Sequence, residues 1–320
     1  MGAQTLTIAP LAPGSVSMRL YPHNDLPADQ ILEELREQAR LAIGAGLNGV
    51  MTNEHHNGFA GYMPNPVQTA GWLLEAMPSG WAAPCPLLLP LRPPAMVAEE
   101  LAWLAARFPG RVGLGVAAGS LVDDFTIMGL TKDGLSARFA DGLAMVAGML
   151  SGRDPGALAQ DPAIRRCAEH PVPVVSASMS KGAVQRAAAN GVGLLFESLS
   201  TPERCRELVD LYRDAGGPGP VLMIRRVWVG PPPTTRQAAQ LEIYKGYAEP
   251  AAQVHWKGEQ MIQGDTADSV AEQLIAAAHV AGVDALNLRL HVPGVSPEEI
   301  HDQIRSLADV VPTVRQGLGS

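Results

Sequence analysis

Five consecutive residues, Asn53-Glu54-His55-His56-Asn57, concentrate acid–base chemistry at one point of this chain. They follow a short apolar run, Gly49 to Thr52, that reads as a strand, so they occupy a strand exit. Imidazole titrates near neutrality and can both donate and accept, which suits proton transfer, and an adjacent carboxylate can orient it. Glu54, His55 and His56 are therefore the catalytic candidates. Two other uses compete. One is a metal ion, but adjacent residues of a strand point to opposite faces, so His55 and His56 could chelate one ion only where the strand has ended. The other is a partly buried, hydrogen-bonded pair with a structural role.

A second group is Ser176-Ala177-Ser178-Met179-Ser180-Lys181-Gly182. It lies between a strand and a helix, where backbone N–H groups, hydroxyls and one ammonium could cradle a phosphate. An ordinary serine N-cap is the competing reading. A third is Gly115-Val116-Ala117-Ala118-Gly119-Ser120, whose small residues would let a ligand approach the backbone or simply form a tight turn. Arg225, Arg226 and Arg289 sit in apolar strands and could face a ligand or form structural ion pairs.

These groups need a scaffold, and the hydrophobic pattern supplies one. Short apolar runs alternate with amphipathic stretches along the chain. Strands are expected at Ser17–Tyr21, Gly49–Thr52, Cys85–Pro90, Arg111–Val116, Val172–Ser176, Gly193–Glu197, Val221–Val229 and Ala285–Leu290. Helices are expected at Ala28–Ala45, Pro66–Met77, Ala95–Arg107, Gly134–Leu150, Lys181–Asn190, Pro202–Ala215, Ala267–Ala281 and Pro297–Val314. In the first helix Ile31, Leu35, Ala39 and Ala42 form the apolar stripe. Eight strand–helix pairs without an obvious linker predict an α/β fold, a (β/α)8 TIM barrel formed as one domain over 1–320. Residues 1–15 read as an N-terminal extension. Residues 230–264 read as an insertion after strand seven with one helix, serving as a lid or a dimer contact. No Gly-x-Gly-x-x-Gly turn follows the first strand, which disfavours a doubly wound sheet. In such a barrel the active site forms at the C-terminal ends of the strands, where all three groups fall.

Composition narrows the class. Apolar residues make up 47% and charged residues 18% of the 320, as expected of a soluble globular enzyme. The net charge of −8 and the lack of a basic run argue against a nucleic-acid partner. The three cysteines are widely spaced, so neither a disulfide framework nor a zinc site is expected. No run is long enough for a membrane span, and no signal peptide is visible, so a cytoplasmic location is expected.

The residues also resemble a family. Glu54-His55-His56 followed by Gly61, Asn65 and Pro66 resembles the second-strand region of the bacterial luciferase-like flavin monooxygenases. Leu89 to Pro94, Ala98-Glu99-Glu100 and Pro109-Gly110-Arg111 resemble that family's third strand, third helix and fourth strand. Gly119-Ser120 through Asp124-Phe125 and Gly129 resemble its loop after strand four. Gly282-Val283-Asp284 through Arg289, Pro293-Gly294-Val295 and Glu298-Glu299 resemble its eighth strand and last helix. The pieces recur in order over nearly the whole chain.

The resemblance implies reduced FMN at the barrel mouth, a small organic substrate oxygenated with O₂, a separate flavin reductase and a homodimer. It gives the proton-transfer role to His55 and the flavin phosphate to Ser178 and Lys181, with Ser176, Met179, Ser180, Ala118 and Gly119 lining the same site. Relatives that use the deazaflavin F420 for hydride transfer share the barrel. They usually carry an Asp-His pair where this chain has Glu54-His55-His56, which favours FMN. A third possibility is a non-catalytic flavin-binding protein, against which both retained histidines speak. Luciferases often carry a basic residue at the position of Ala118 and an acid at that of Ala177. These departures leave open weaker flavin binding, compensation by Lys181, or another cofactor. Trp228, Tyr244, Tyr247 and Trp256 are candidates for the substrate pocket.

Overall fold

A computed structural model describes residues 8–247 and 261–319. The first half carries β1 (Val16–Arg19), α1 (Ala28–Gly44), β2 (Gly49–Thr52), α2 (Pro66–Ala76), β3 (Trp81–Pro84), β4 (Leu87–Leu88), α3 (Pro94–Arg107), β5 (Leu114–Ala117), α4 (Val122–Ile127) and α5 (Leu135–Leu150). The second half carries α6 (Pro162–Arg166), β6 (Val174–Ala177), α7 (Lys181–Ala189), β7 (Gly193–Phe196), α8 (Pro202–Asp214), β8 (Val221–Val229), α9 (Thr234–Tyr247), β9 (Met261–Gly264), α10 (Ala267–Ala281), β10 (Ala285–Arg289) and α11 (Pro297–Leu318). All strand pairs are parallel, in the order β3-β2-β1-β10-β8-β7-β6-β5-β4. An isolated bridge from Ala82 to Val112 joins the two ends of that order. The result is the TIM barrel that the alternation predicts, with helices packed around the strands.

Two sets of apolar side chains hold it together. Alternate strand residues point to opposite faces. Met51, Trp81, Ala83, Cys85, Val175, Leu195, Leu222, Ile224 and Ala285 form one buried cluster, which fills the barrel interior. Met18, Val50, Ala82, Leu194, Met223, Leu286 and Leu288 face the other way and pack against the helices. The helices are started by local chemistry. Thr201, Thr266 and Ser296 accept N-terminal N–H groups of α8, α10 and α11, and Ser296 with Glu299 forms a full capping box. Gly282 ends α10 with φ +66°, a conformation glycine adopts without steric cost.

The structure departs from the sequence reading in three places. The third barrel strand is not one run over Cys85–Pro90. Its place is shared by β3, which pairs with β2, and β4, which pairs with β5. Pro84 and Pro86 lack the N–H that a continuous ladder would use, and Leu89–Leu91 turn into a 3₁₀ helix. The insertion carries a strand as well as a helix: β9 pairs with Arg226–Val229 of β8. Within the N-terminal segment, Leu11 is fully buried in the interior cluster, a packing role that the sequence reading did not give it. Tyr247's side chain and Trp256 lie outside the described residues.

Among the described residues no helix is long and apolar enough to cross a membrane. No group of three or more His, Cys, Asp or Glu side chains gathers there in metal-binding geometry.

Candidate active site

The strand exits converge at one end of the barrel, and the histidine motif lies there, just beyond β2. His55 Nδ1 is 2.7 Å from an Asp124 carboxylate oxygen. The other oxygen of Asp124 accepts the His56 backbone N–H at 2.9 Å. Asp124 is delivered by α4, a short helix inside what reads from sequence as a long loop. It is buried, which alone would raise its carboxyl. The hydrogen bond and charge of His55 and the N–H of His56 overcome that burial and hold it below the ordinary carboxylate range. Asp124 is therefore ionised at neutral pH and accepts from Nδ1–H. Nε2 is then the atom of His55 left to take or return a proton.

His55 keeps 14% of its side chain exposed, whereas Asp124 keeps 3%, so the imidazole faces the mouth and the carboxylate backs it. Phe59 and Tyr62 stand around the His55 ring, with centroids at 4.9 and 4.4 Å.

Glu54 and His56 are placed differently. Glu54 is buried and accepts from four sides. His56 Nε2 lies 3.2 Å from Oε1, the Leu88 N–H donates to Oε2 at 2.7 Å, and Arg92 spans both oxygens. This hub ties the exit of β2 to β4 and to the start of α3. His56 is buried between Glu54 and the α4 side of the site.

At the same end of the barrel, the serine-rich segment follows β6, the neighbour of β5, whose exit leads to Asp124. Ser176 and Ser178 are buried, with their hydroxyls 3.4 Å apart. Met179 is half-buried, and Ser180 and Lys181 are exposed. Ser180 caps α7 by accepting the Ala183 N–H at 3.4 Å, so the N-cap reading holds for that residue. Ala118 and Gly119 are half-buried at the exit of β5. Gly119 has φ +88°, and a Cβ there would sit 3.1 Å from the Phe125 ring.

The arginines sort by face. Arg225 points outward and donates to the Ser198 and Ser200 carbonyls at 3.3 and 2.8 Å. Arg226 stands two residues after the interior Ile224 and Arg289 four after the interior Ala285, so they share that face and point into the lumen. Arg226 bonds Gln240, and Arg289 bonds Tyr244; both partners lie on α9, which covers this part of the mouth. Trp228 is buried in the core and donates to the Pro231 carbonyl at 3.0 Å. A third lumen arginine, Arg19 at the end of β1, escaped the sequence reading, as did Asp124 as the partner of His55.

His291 follows β10 and stacks on Tyr21, ring centroids 3.4 Å apart. Its Nδ1 accepts from Arg289 at 3.3 Å. Burial first, then the positive charges of Arg289 and Arg226, push its pKa well below the ordinary histidine value. His291 is thus neutral in the folded chain, whereas in the unfolded chain it binds a proton below about pH 6.5. The unfolded state then holds more protons, so stability falls as pH drops through that region. The slope from this one group is at most about 1.4 kcal/mol per pH unit. We expect urea midpoints measured between pH 7 and pH 5 to fall less in His291→Gln than in the wild type. Equal slopes would show that His291 is protonated in both states.

The family model for luciferase-like monooxygenases matches residues 15–313. The chain belongs to the luciferase-like monooxygenase family. Membership makes it an enzyme of the oxidoreductase class. A luciferase-like monooxygenase of Escherichia coli strain K12 is 26% identical over 214 residues, 65% of this chain and 58% of that protein. Across the curated relatives it matches, the aligned part spans between 23% and 58% of their length. Two solved structures share the fold. The oxygenating constituent of 3,6-diketocamphane monooxygenase from Pseudomonas putida, in complex with FMN, superposes with a TM-score of 0.72 at 16% identity, covering 94% of this chain and 98% of that one. An F420-dependent secondary alcohol dehydrogenase in complex with an F420–acetone adduct superposes with a TM-score of 0.73 at 18% identity, with the same coverage.

Proposed function

We propose that this luciferase-like protein is a two-component flavin-dependent monooxygenase that holds reduced FMN at the C-terminal mouth of the barrel and acts on a small organic molecule with O₂. The observation that carries the proposal is the His55–Asp124 pair, an oriented acid–base group at the mouth, at the same end of the barrel as the serine segment after β6.

The cradle fits a flavin phosphate. Among the described residues the buried Ser178 hydroxyl hydrogen-bonds only the Ser176 hydroxyl. A Cβ at Gly182, in the first turn of α7, would meet nothing within 4 Å, so that turn is open to a ligand. Ser178 Oγ, Lys181 Nζ and the first N–H groups of α7 would hold the phosphate, with Met179 and Ser180 beside them. Ala118, whose side chain is small, would leave room for the ring system beside the exit of β5, while Gly119 lets the backbone turn there against the Phe125 ring. Bound there, the flavin would supply the redox and oxygen chemistry. The protein's part is to position, exclude water and move one proton. Asp124 fixes the His55 tautomer, His55 Nε2 exchanges the proton, and Phe59 and Tyr62 shield that atom. Glu54 and His56 act as positioning residues through the hub with Arg92 and Leu88. A separate reductase would deliver the reduced flavin, and the enzyme would act as a homodimer in the cytoplasm.

A second reading is F420-dependent hydride transfer, supported by the F420-dependent dehydrogenase that shares this fold over nearly its full length. It uses the same mouth and the same His55, and differs in having no step with O₂. An inert flavin carrier would have no use for an ionised, buried Asp124 behind an exposed imidazole.

The phosphate assignment is tested by the double variant Ser178→Ala, Lys181→Ala. Hydrogen bonds to a charged group are each worth about 1.5–3 kcal/mol. FMN affinity is expected to fall by at least about tenfold, whereas riboflavin, which has no phosphate, is expected to bind both proteins alike. Equal FMN affinity in the variant would place the phosphate elsewhere.

A further inference from the structure

Three arginines lie at one level of the lumen. β1 and β10 are paired so that Arg19 stands opposite Arg289, and β10 and β8 so that Arg289 stands opposite Arg226. Paired residues of neighbouring parallel strands share a face, and neighbouring strands lie about 4.8 Å apart. Three guanidinium groups therefore enter the mouth side by side, on side chains that are all at least nine-tenths buried. Like charges gathered out of water repel and lose hydration, so such a cluster costs stability unless something negative joins it.

Several donors around the cluster have no acceptor among the described residues. Arg19 Nε and Nη2, Gln240 Nε2 and His291 Nε2 are buried and have no hydrogen-bond partner among the described residues. All four are donors. Gln240 uses its oxygen to accept from Arg226, so its Nε2 carries the hydrogens. His291 uses Nδ1 to accept from Arg289, so its Nε2 carries the proton. Among the described residues no carboxylate forms an ion pair with Arg19. Arg289 and Arg226 are held in place by Tyr244 and Gln240 of α9. Burial above all, with the charge of Arg289, outweighs the opposite influence of Cys85, Tyr62 and Tyr244 and lowers the Arg19 pKa to about 10. At neutral pH it is still a cation. Gly61, in the loop after β2 that carries His55 and Tyr62, packs on the cluster: a Cβ there would overlap the His291 ring and crowd Tyr21. The cluster thus adjoins the loop that carries the proposed proton-transfer residue.

We propose that Arg19, Arg226, Arg289, Gln240 and His291 form the recognition subsite for an oxyanion on the substrate, so that the enzyme selects small organic acids, carboxylates or sulfonates. A two- or three-oxygen anion accepts from several planar donors at once, which suits a fork of guanidinium groups. A neutral substrate would leave the same donors buried and unmatched, and sites built to hydrogen-bond a group reject analogues that lack it. The inference rests on the flavin reading only in giving the oxyanion to the substrate rather than to the cofactor.

The test is calorimetric titration of the wild-type protein with hexanoate, hexane-1-sulfonate and the neutral hexanamide, each with and without FMN. At least one of the two acids is expected to bind about tenfold or more tightly than the amide, and the stronger of them names the preferred oxyanion. In Arg19→Gln that preference is expected to disappear while FMN affinity stays the same. In Arg19→Lys, which keeps the charge and loses the fork, it is expected to shrink. Equal binding of acids and amide by the wild type, or no binding of any, would overturn the proposal without bearing on the flavin. Weakened binding of FMN but not of riboflavin in Arg19→Gln would overturn it too, by showing that these donors hold the flavin phosphate. Failure of the wild type to bind FMN, with the acid preference intact, would instead count against the flavin reading alone.

Discussion

Replacing His55 by alanine is expected to lower turnover at saturating cofactor by a factor of about 10² to 10⁴, the usual worth of one acid–base group. Cofactor affinity should hardly change, because Ser178 and Lys181, and not His55, would hold the phosphate. The geometry also sets what a change at Asp124 does. Its carboxylate accepts from His55 Nδ1 at 2.7 Å and from the His56 N–H at 2.9 Å. Asp124→Asn is nearly isosteric but no longer carries the charge that fixes the imidazole tautomer and supports its protonated form. Turnover should fall and the pH–rate profile should shift, which a purely structural substitution would not produce. Unchanged turnover in His55→Ala, measured in single-turnover experiments at saturating cofactor, would remove His55 from the chemistry.

Glu54 carries the second large effect, on stability. Its oxygens accept from Arg92, His56 and the Leu88 N–H in a fully buried position. Glu54→Ala leaves those donors without an acceptor. Breaking a buried ion pair costs about 3–5 kcal/mol. Arg92 keeps 23% of its side chain exposed and can recover part of its hydration, so the lower end, about 3 kcal/mol, is expected. Glu54→Gln keeps one acceptor oxygen and should cost less. Urea unfolding of the two variants checks this, with the m-value showing whether the unfolded state has changed. A loss below about 1 kcal/mol in Glu54→Ala would mean that the hub is not what holds the β2 exit against β4 and α3.

Much of this architecture was legible from the order of the residues. Alternating apolar runs and amphipathic stretches report the strands and helices because burial acts on every turn and every second residue. The third strand was misplaced because Leu87-Leu88-Leu89 is apolar whichever way it folds, and only the neighbouring prolines hint at the break. β9 was missed because Met261–Gly264 is short, and its pairing with β8 is a tertiary choice.

The site was half legible. Two histidines beside an acid mark a strand exit on their own. The partner of His55 lies 69 positions away on a helix of one and a half turns, and no local pattern encodes that contact. A visible signal did exist for the arginine cluster. Arg19, Arg226 and Arg289 each interrupt an apolar strand near its C-terminal end, an expensive position for a cation unless it faces a ligand or a partner. Arg19 was passed over because it stands alone in its run, whereas its meaning comes from the register of three strands.

The most direct measurement is an anaerobic titration of the purified protein with reduced FMN and, separately, with reduced F420, followed by admission of O₂. Tighter binding of reduced FMN, with oxygen consumed by the complex and binding weakened in Ser178→Ala, Lys181→Ala, is the predicted result. Preference for F420 with no reaction toward O₂, or binding of neither cofactor, would contradict the monooxygenase assignment.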